Sequence, residues 1–314
     1  MGVGGEVKIR PLTEDDVDEA DRIVRLAFGT FLGLPDPSTF MGDAQYARTR
    51  FLADPTAVLA AELDGRLVGS NFVTRWGSVG FFGPLTVLPE LWDKGVAKAL
   101  LRETEDMFAR WGVSHRGLFT FANSPKHVSL YQSLGYEPGP LTGLLGKAVS
   151  GGGGVDYRRF SEAPDKEEAL AEAAGLTDEL YPGLDVAREI RAVDAQGLGD
   201  TVLVYDGPQL VALGVCHLGA GSEAGSGVCY VKFGAARPGA DAERRFARLL
   251  AACEAYAASG AANQLLAGVS LGRRRAYHLA RSAGFRPAML GVTLHQPDSQ
   301  PYHDADSFAI DDWR

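Results

Sequence analysis

The sequence predicts an α+β protein with a mixed sheet, assembled from two similar halves. Three observations carry this: four consecutive glycines, Gly151 to Gly154, near the middle; an Asp-Gly turn pair between apolar runs in each half; and a strand–helix–strand–helix–strand order that closes both halves. The glycine run has maximal backbone freedom and no side chain to anchor it, so a domain boundary is placed there, giving domains at 1–150 and 155–314.

Val7 to Arg10 alternates as a short strand does, and Thr13 followed by Glu14, Asp15 and Asp16 offers a cap and first-turn acids for a helix reaching about Phe28. A second helix is expected over Ala44 to Leu52. The runs Ala57 to Leu63 and Arg66 to Trp76 flank Asp64-Gly65, a pair that suits the twist of a two-residue hairpin. A third apolar run, Val79 to Leu88, contains Gly83-Pro84, which predicts a bulge or interrupted pairing because proline donates no ladder hydrogen bond. Gly95 to Trp111 places Val96, Leu100, Thr104, Met107 and Phe108 on one helical stripe. Gly117 to Phe121 reads as a strand, Pro125 to Leu134 as a helix and Tyr136 to Lys147 as extended chain.

The second half repeats this order more loosely. A strand at Val155 to Phe160 precedes helices at Asp165 to Ala174 and Asp185 to Ala195. A hairpin about Asp206-Gly207 joins Thr201 to Tyr205 with Leu210 to His217. Then come a strand at Val228 to Ala235, a helix from Ala242 to Ala258, a strand at Gln264 to Val269, a helix at Arg273 to Ala283, and extended chain from Phe285. Leu134-Gly135-Tyr136 and Ala283-Gly284-Phe285 end the two halves alike, which supports a repeat. The tail from Gln296 is polar until Phe308, Ile310 and Trp313, residues suited to docking on the body. Arg273-Arg274-Arg275 is expected to be solvated.

Composition narrows the function. With 46% hydrophobic and 23% charged residues the chain has the makeup of a folded globular protein, and a formal charge of −9 disfavours general nucleic-acid binding while leaving an amine substrate unrepelled. No run approaches the roughly 20 apolar residues of a membrane span. Met1 to Glu6 has neither the basic nor the apolar stretch of a secretory signal, and Cys216, Cys229 and Cys253 lack metal-site spacing, so a cytoplasmic protein with buried thiols and no metal is expected. Nothing in the sequence sets an oligomeric state.

The chemistry is concentrated between Leu85 and Tyr136. Leu85-Thr86-Val87-Leu88-Pro89 leads through Glu90-Leu91-Trp92-Asp93-Lys94 into Gly95-Val96-Ala97-Lys98 at the start of a helix. A loop turning sharply into a helix leaves first-turn amides unpaired at the positive end of the helix dipole, so an anion can bind mainly to backbone, with Lys94 and Lys98 adding charge. Further on, Asn123-Ser124-Pro125-Lys126-His127 opens a helix that carries Tyr131 four residues before Gly135-Tyr136. Each segment alone also reads as an ordinary glycine-containing loop or a core aromatic. Together, in this order, they resemble the GNAT superfamily of N-acetyltransferases.

The resemblance implies two tandem GNAT-like domains, each a mostly antiparallel sheet whose central parallel pair splays into a V, flanked by helices. It implies acetyl-CoA as cosubstrate, its pyrophosphate held at Asp93, Lys94, Gly95, Val96, Ala97 and Lys98, and its pantetheine arm alongside Leu85, Thr86 and Val87. Either Asn123 or Ser124 takes the place of a cofactor-binding asparagine, and Lys126 or His127 lies near a phosphate or in solvent. Trp92 departs from the family pattern, which has Arg or Gln there. Tyr131 is the implied general acid, since a phenol with a pKa of about 10 can protonate a departing thiolate. Glu62, Glu90 and Asp36 are undistinguished candidates for a base, and Trp76, Phe81 and Phe82 line either an acceptor pocket or plain core. The expected reaction is acetyl transfer to a primary amine of a small molecule, peptide or protein. The alternative is a non-catalytic acyl-CoA-binding or sensor module. In the second half Ala280 stands where Tyr131 does and the loop Arg237 to Ala242 loses the glycine-x-small spacing, so that half is expected to be non-catalytic.

Overall fold

The computed structural model describes residues 6–151, 154–297 and 302–314; Gly152 and Gly153 of the expected linker lie outside these. In the first half, strand β1 (Lys8–Pro11) precedes helices α1 (Val17–Phe31) and α2 (Ala47–Ala53). Strands β2 (Val58–Leu63) and β3 (Arg66–Trp76) fold back about Asp64 and Gly65, both left-handed at φ +49° and +76°, as the hairpin twist demands. Strand β4 (Val79–Val87), helix α3 (Val96–Trp111), strand β5 (His115–Phe121), helix α4 (Pro125–Gln132) and strand β6 (Glu137–Ala148) follow.

In the second half the expected strand at Val155 to Phe160 is only β7 (Arg158–Arg159), because the chain turns into a 3-10 segment at Phe160, whose ring is buried. Helices α5 (Lys166–Leu180) and α6 (Ala187–Gln196) precede β8 (Gly199–Asp206), β9 (Gln209–Gly219), β10 (Gly225–Ala236), α7 (Ala242–Ser259), β11 (Gln264–Ser270), α8 (Arg274–Ser282) and β12 (Arg286–His295). The hairpin turns at Gly207-Pro208, one residue later than expected, because Asp206 itself pairs with Gln209. A last strand, β13 (Ala309–Asp311), lies in the tail.

All thirteen strands form one mixed sheet in the order β1-β2-β3-β4-β5-β12-β6-β11-β10-β9-β8-β7, with β13 on β10. Among the described residues only β4–β5 and β10–β11 are parallel, one pair in each half. The halves exchange their final strands. Strand β12, from the end of the chain, pairs with β5 of the first half, while β6 pairs with β11 of the second. The exchanged strands also pair with each other, which makes the sheet continuous.

One core cluster gathers α1, α3 and α4 onto the first-half strands, with Ile23, Leu100 and Phe108 fully buried; a second sits under α7 and α8. Such large apolar side chains contribute about 1.5–3 kcal/mol each on burial, which makes these clusters the main stabilising mass. A third joins Trp76, Val79 and Phe81 to α5, α6 and the tail, so the halves share a core as well as a sheet. Phe308, Ile310 and Trp313 dock as expected, at 2% exposure or less. The three cysteines are buried free thiols. Arg273 departs from expectation: it is fully buried and paired with Asp311 at 2.7 Å, because the docked tail brings a carboxylate to it.

Candidate active site

Strands β4 and β5 pair only from Val79–His115 to Phe82–Leu118. Beyond Phe82 the register of β4 against β3 shifts, with Val73 opposite Phe82 and Asn71 opposite Leu85, so β4 carries a bulge at Gly83-Pro84. Gly83 has φ +145°, open to glycine and strained for other residues. The expected V is therefore present, with Gly83 to Val87 and the end of β5 as its arms.

At the rim of the V, β4 runs through a 3-10 turn at Pro89–Leu91 into α3. Asp93 and Gly95 are both left-handed, at φ +63° and +86°. A Cβ on Gly95 would meet nothing within 4 Å, so the glycine is needed for its backbone angle, not for space. No side chain caps α3 and its first turn has no acid. Ala99 is the first amide to close onto the Gly95 carbonyl, at 3.1 Å, which leaves Val96, Ala97 and Lys98 as the uncapped amides of the turn. Uncapped amides in an acid-free first turn suit a phosphate. Trp92 braces the loop by donating from Nε1 to the Val87 carbonyl at 2.8 Å, giving this departure from the family pattern a structural task.

Helix α4 forms the facing wall. Lys126 reaches Asp93 at 2.8 Å and lies 5.7 Å from the centre of the Trp92 ring, which links the two sequence segments across the rim. Ser124 is buried and uses its oxygen to cap α4, accepting from the His127 amide at 3.4 Å, whereas Asn123 is exposed. Thr86 is 3% exposed and faces Ser70, so its side chain belongs to the sheet interior. Tyr131, 8% exposed, packs its ring 5.9 Å from that of Phe82, the last β4 residue paired with β5. Burial raises its phenol above the ordinary value, keeping it protonated, and among the described residues no hydrogen bond engages its hydroxyl. Tyr136, by contrast, donates to Glu105 at 2.5 Å.

The base candidates are dispersed. Glu62 accepts from Arg10 at 2.8 Å, Asp36 from the Ser38 amide and hydroxyl, and Glu90 is exposed. Trp76, Phe81 and Phe82 are all 2% exposed or less and are core residues.

Sequence reasoning missed a buried ionic cluster where the halves meet. Arg50 of α2 bonds to Glu223 through Nε and Nη2, at 2.9 and 2.8 Å, and also donates to the Gly83 and Arg314 carbonyls. Lys232 joins Glu223 at 2.7 Å and Glu189 at 2.9 Å. Burial opposes charge on Glu223, yet Arg50 and Lys232 outweigh it and hold this carboxyl well below the usual range; Glu189, beside Lys232, falls to about 2. Arg50 and Glu223 lie 173 residues apart, beyond any local sequence signal.

Residues 23–136 match the family model described as acetyltransferase (GNAT) family. The first half of the chain holds a GNAT-family acetyltransferase domain. Solved structures of like fold span nearly the whole chain. A Pyrococcus horikoshii protein provisionally assigned as an acetyltransferase has a TM-score of 0.69 at 14% identity, covering 98% of this chain and 95% of its own. A GCN5-related N-acetyltransferase from Sphaerobacter thermophilus has a TM-score of 0.61 at 14% identity, covering 94% and 98%. One from Kribbella flavida has a TM-score of 0.53 at 17% identity, covering 93% and 71%. At these identities the likeness is one of fold. No curated protein matches the chain by sequence. Both motifs that resembled the GNAT superfamily lie inside the matched span, and among the described residues no helix is long and apolar enough to cross a membrane.

Proposed function

We propose that the chain is an N-acetyltransferase that uses acetyl-CoA to acetylate a primary amine of a small molecule, peptide or protein, with residues 1–150 catalytic and 155–314 a non-catalytic GNAT-like repeat. The observation that carries this reading is the uncapped, acid-free first turn of α3 at one rim of a V whose wall holds the unengaged phenol of Tyr131. Acetyl-CoA supplies an activated thioester. The amides of Val96, Ala97 and Lys98 suit its pyrophosphate, with Asp93, Lys94 and Gly95 shaping the turn and Lys126 adding charge. Backbone at Leu85 and Val87 is the natural partner of an extended arm, as a strand would be. Direct attack fits a first half without cysteine: the C–N bond forms as the C–S bond breaks, Tyr131 gives its proton to sulfur, and the ammonium proton leaves to water. Three buried free thiols agree with a cytoplasmic setting.

In the second half Ala280 stands in place of the phenol, and Arg245 of α7 occupies carbonyls of the preceding loop, donating to Arg237 and Pro238 at 3.2 Å. These support the non-catalytic assignment.

Tyr131→Phe tests the mechanism. Turnover of acetyl-CoA with the best amine from a screen should fall about a hundredfold or more, while coenzyme A affinity, by calorimetry, stays near that of the parent. Undiminished turnover removes Tyr131 from the reaction. A parent chain that binds coenzyme A yet acetylates no amine supports the sensor alternative.

A further inference from the structure

We propose that the tail strand β13 occupies the second half's V in place of a cofactor arm and so positions the V of the first half for acetyl transfer. This rests on the acetyltransferase reading above.

Strand β10 pairs with β11 only from Val228 to Val231, then parts from it as β4 parts from β5. In that opening Phe233, Gly234 and Ala235 pair with Asp311, Ile310 and Ala309. The chain's own tail thus takes the place that the first half leaves for a ligand. The docking is specific. Arg273, fully buried, donates to Asp311 at 2.7 Å and Ser307 at 2.9 Å; Tyr302 donates to Asp311 at 2.6 Å and Tyr230 to Asp312 at 2.7 Å. A buried charge set of this kind is stable only when each member is paired, so the tail has one seat and one register.

From that seat the tail reaches the vertex of the first V from two sides. The Trp313 indole stacks on Phe81, centroids 5.7 Å apart and planes at 9°, and fills the space where Gly117 would carry a Cβ. Phe81 and Gly117 are partners across β4–β5, one step before the last pair, Phe82 and Leu118. Just past the vertex, Arg50 bonds to the Gly83 carbonyl and to the Arg314 carbonyl, tying the bulge to the end of the tail. The last paired residues before the vertex and the bulge just after it are therefore both tied to a segment about two hundred residues distant in sequence. Trp313 is a positioning residue: the indole sets where β4 and β5 part, and hence where a thioester lying between them meets Tyr131. A small misplacement at that point slows the reaction without loosening the phosphate grip, since among the described residues no hydrogen bond, ion pair or ring contact joins the tail to Asp93–Lys98.

The test uses the full chain with Trp313→Ala, Trp313→Phe, the milder anchor variant Asp311→Asn, and Leu250→Ala as a destabilised control remote from the vertex. Turnover of acetyl-CoA, coenzyme A affinity by calorimetry and thermal midpoint are measured for each. Trp313→Ala should lower kcat roughly tenfold or more while the coenzyme A dissociation constant stays within about threefold. Trp313→Phe should recover most of kcat, Asp311→Asn should lower it partway, and Leu250→Ala should lower the midpoint alone. Full kcat in Trp313→Ala and Asp311→Asn overturns the proposal. So does an equal kcat loss in Leu250→Ala at matched stability, which would make the effect one of folding. A parent chain that binds no coenzyme A instead sinks the acetyltransferase reading and this role together, an outcome distinct from a parent that turns over while the tail variants are unimpaired.

Discussion

His295 sits among His115, His303 and Trp313, its Nδ1 2.8 Å from Nε2 of His115 and its Nε2 3.1 Å from the Thr293 hydroxyl. Burial, with His115 and the nearby Arg273 cation adding to it, pushes its imidazole down to about 3, and burial acts on His303 in the same direction. In the unfolded chain both would titrate near 6.5, so between about pH 6.5 and 3 the unfolded state takes up more protons than the folded one. Stability is therefore complete above that window and drains away as pH falls through it. Urea denaturation at pH 7.5 and 5 should show a lower midpoint at pH 5, and His295→Gln should flatten the difference; a midpoint unchanged between the two pH values would refute this. The residue scale also shows what the sequence could not offer. The helix that carries Tyr131 was legible because its proline start and the following Gly135-Tyr136 are local signals. Arg273 was misread as solvated because its partner Asp311 lies 38 residues on, in a tail whose docking register no local pattern records.

Helix α3 is an element whose stability and ligand pull in opposite directions. Its N-cap is a glycine in the left-handed region, and Lys98 in the first turn faces the positive end of the dipole, so the helix start is poorer than its sequence could make it. Lys98→Glu should stabilise the helix by about 0.3–1 kcal/mol through the dipole while weakening coenzyme A binding roughly tenfold, because a carboxylate then competes for the same amides. Thermal scans of the free protein and calorimetry with coenzyme A separate the two effects; tighter or equal binding would count against an anion site here. Elements of this kind were largely legible. The stripe of Val96, Leu100, Thr104 and Phe108, the Asp64-Gly65 turn and the Gly83-Pro84 bulge follow from periodicity, left-handed glycine and the missing proline N–H. The short β7 and the Gly207-Pro208 turn were not, since one residue of register decides them and both depend on what the strand pairs with. Alternation predicts that a strand exists but carries no mark of its partner, so the exchange of β6 and β12 had no sequence signal.

At the scale of the whole molecule, that exchange makes the glycine linker dispensable for cohesion. A protease site engineered between Gly151 and Gly154 and then cleaved should leave the two pieces together on gel filtration and unfolding in one transition, because β12 lies between β5 and β6 and a core cluster spans both pieces. Separation of the fragments in native buffer would contradict the shared sheet. The same arrangement has a consequence during synthesis. Strand β5 cannot acquire its second neighbour, β12, until residues 286–295 have left the ribosome, and the tail that seats beside Phe81 comes later still. At about 5–20 residues per second the amino-terminal half waits roughly ten to thirty seconds after its own last strand is made, with one edge unpaired. A nascent chain stalled in that interval carries Tyr131 and the turn at Gly95 but an open sheet. It should be bound by chaperones and silent toward acetyl-CoA, with activity appearing only once β12 and the tail strand have taken their places.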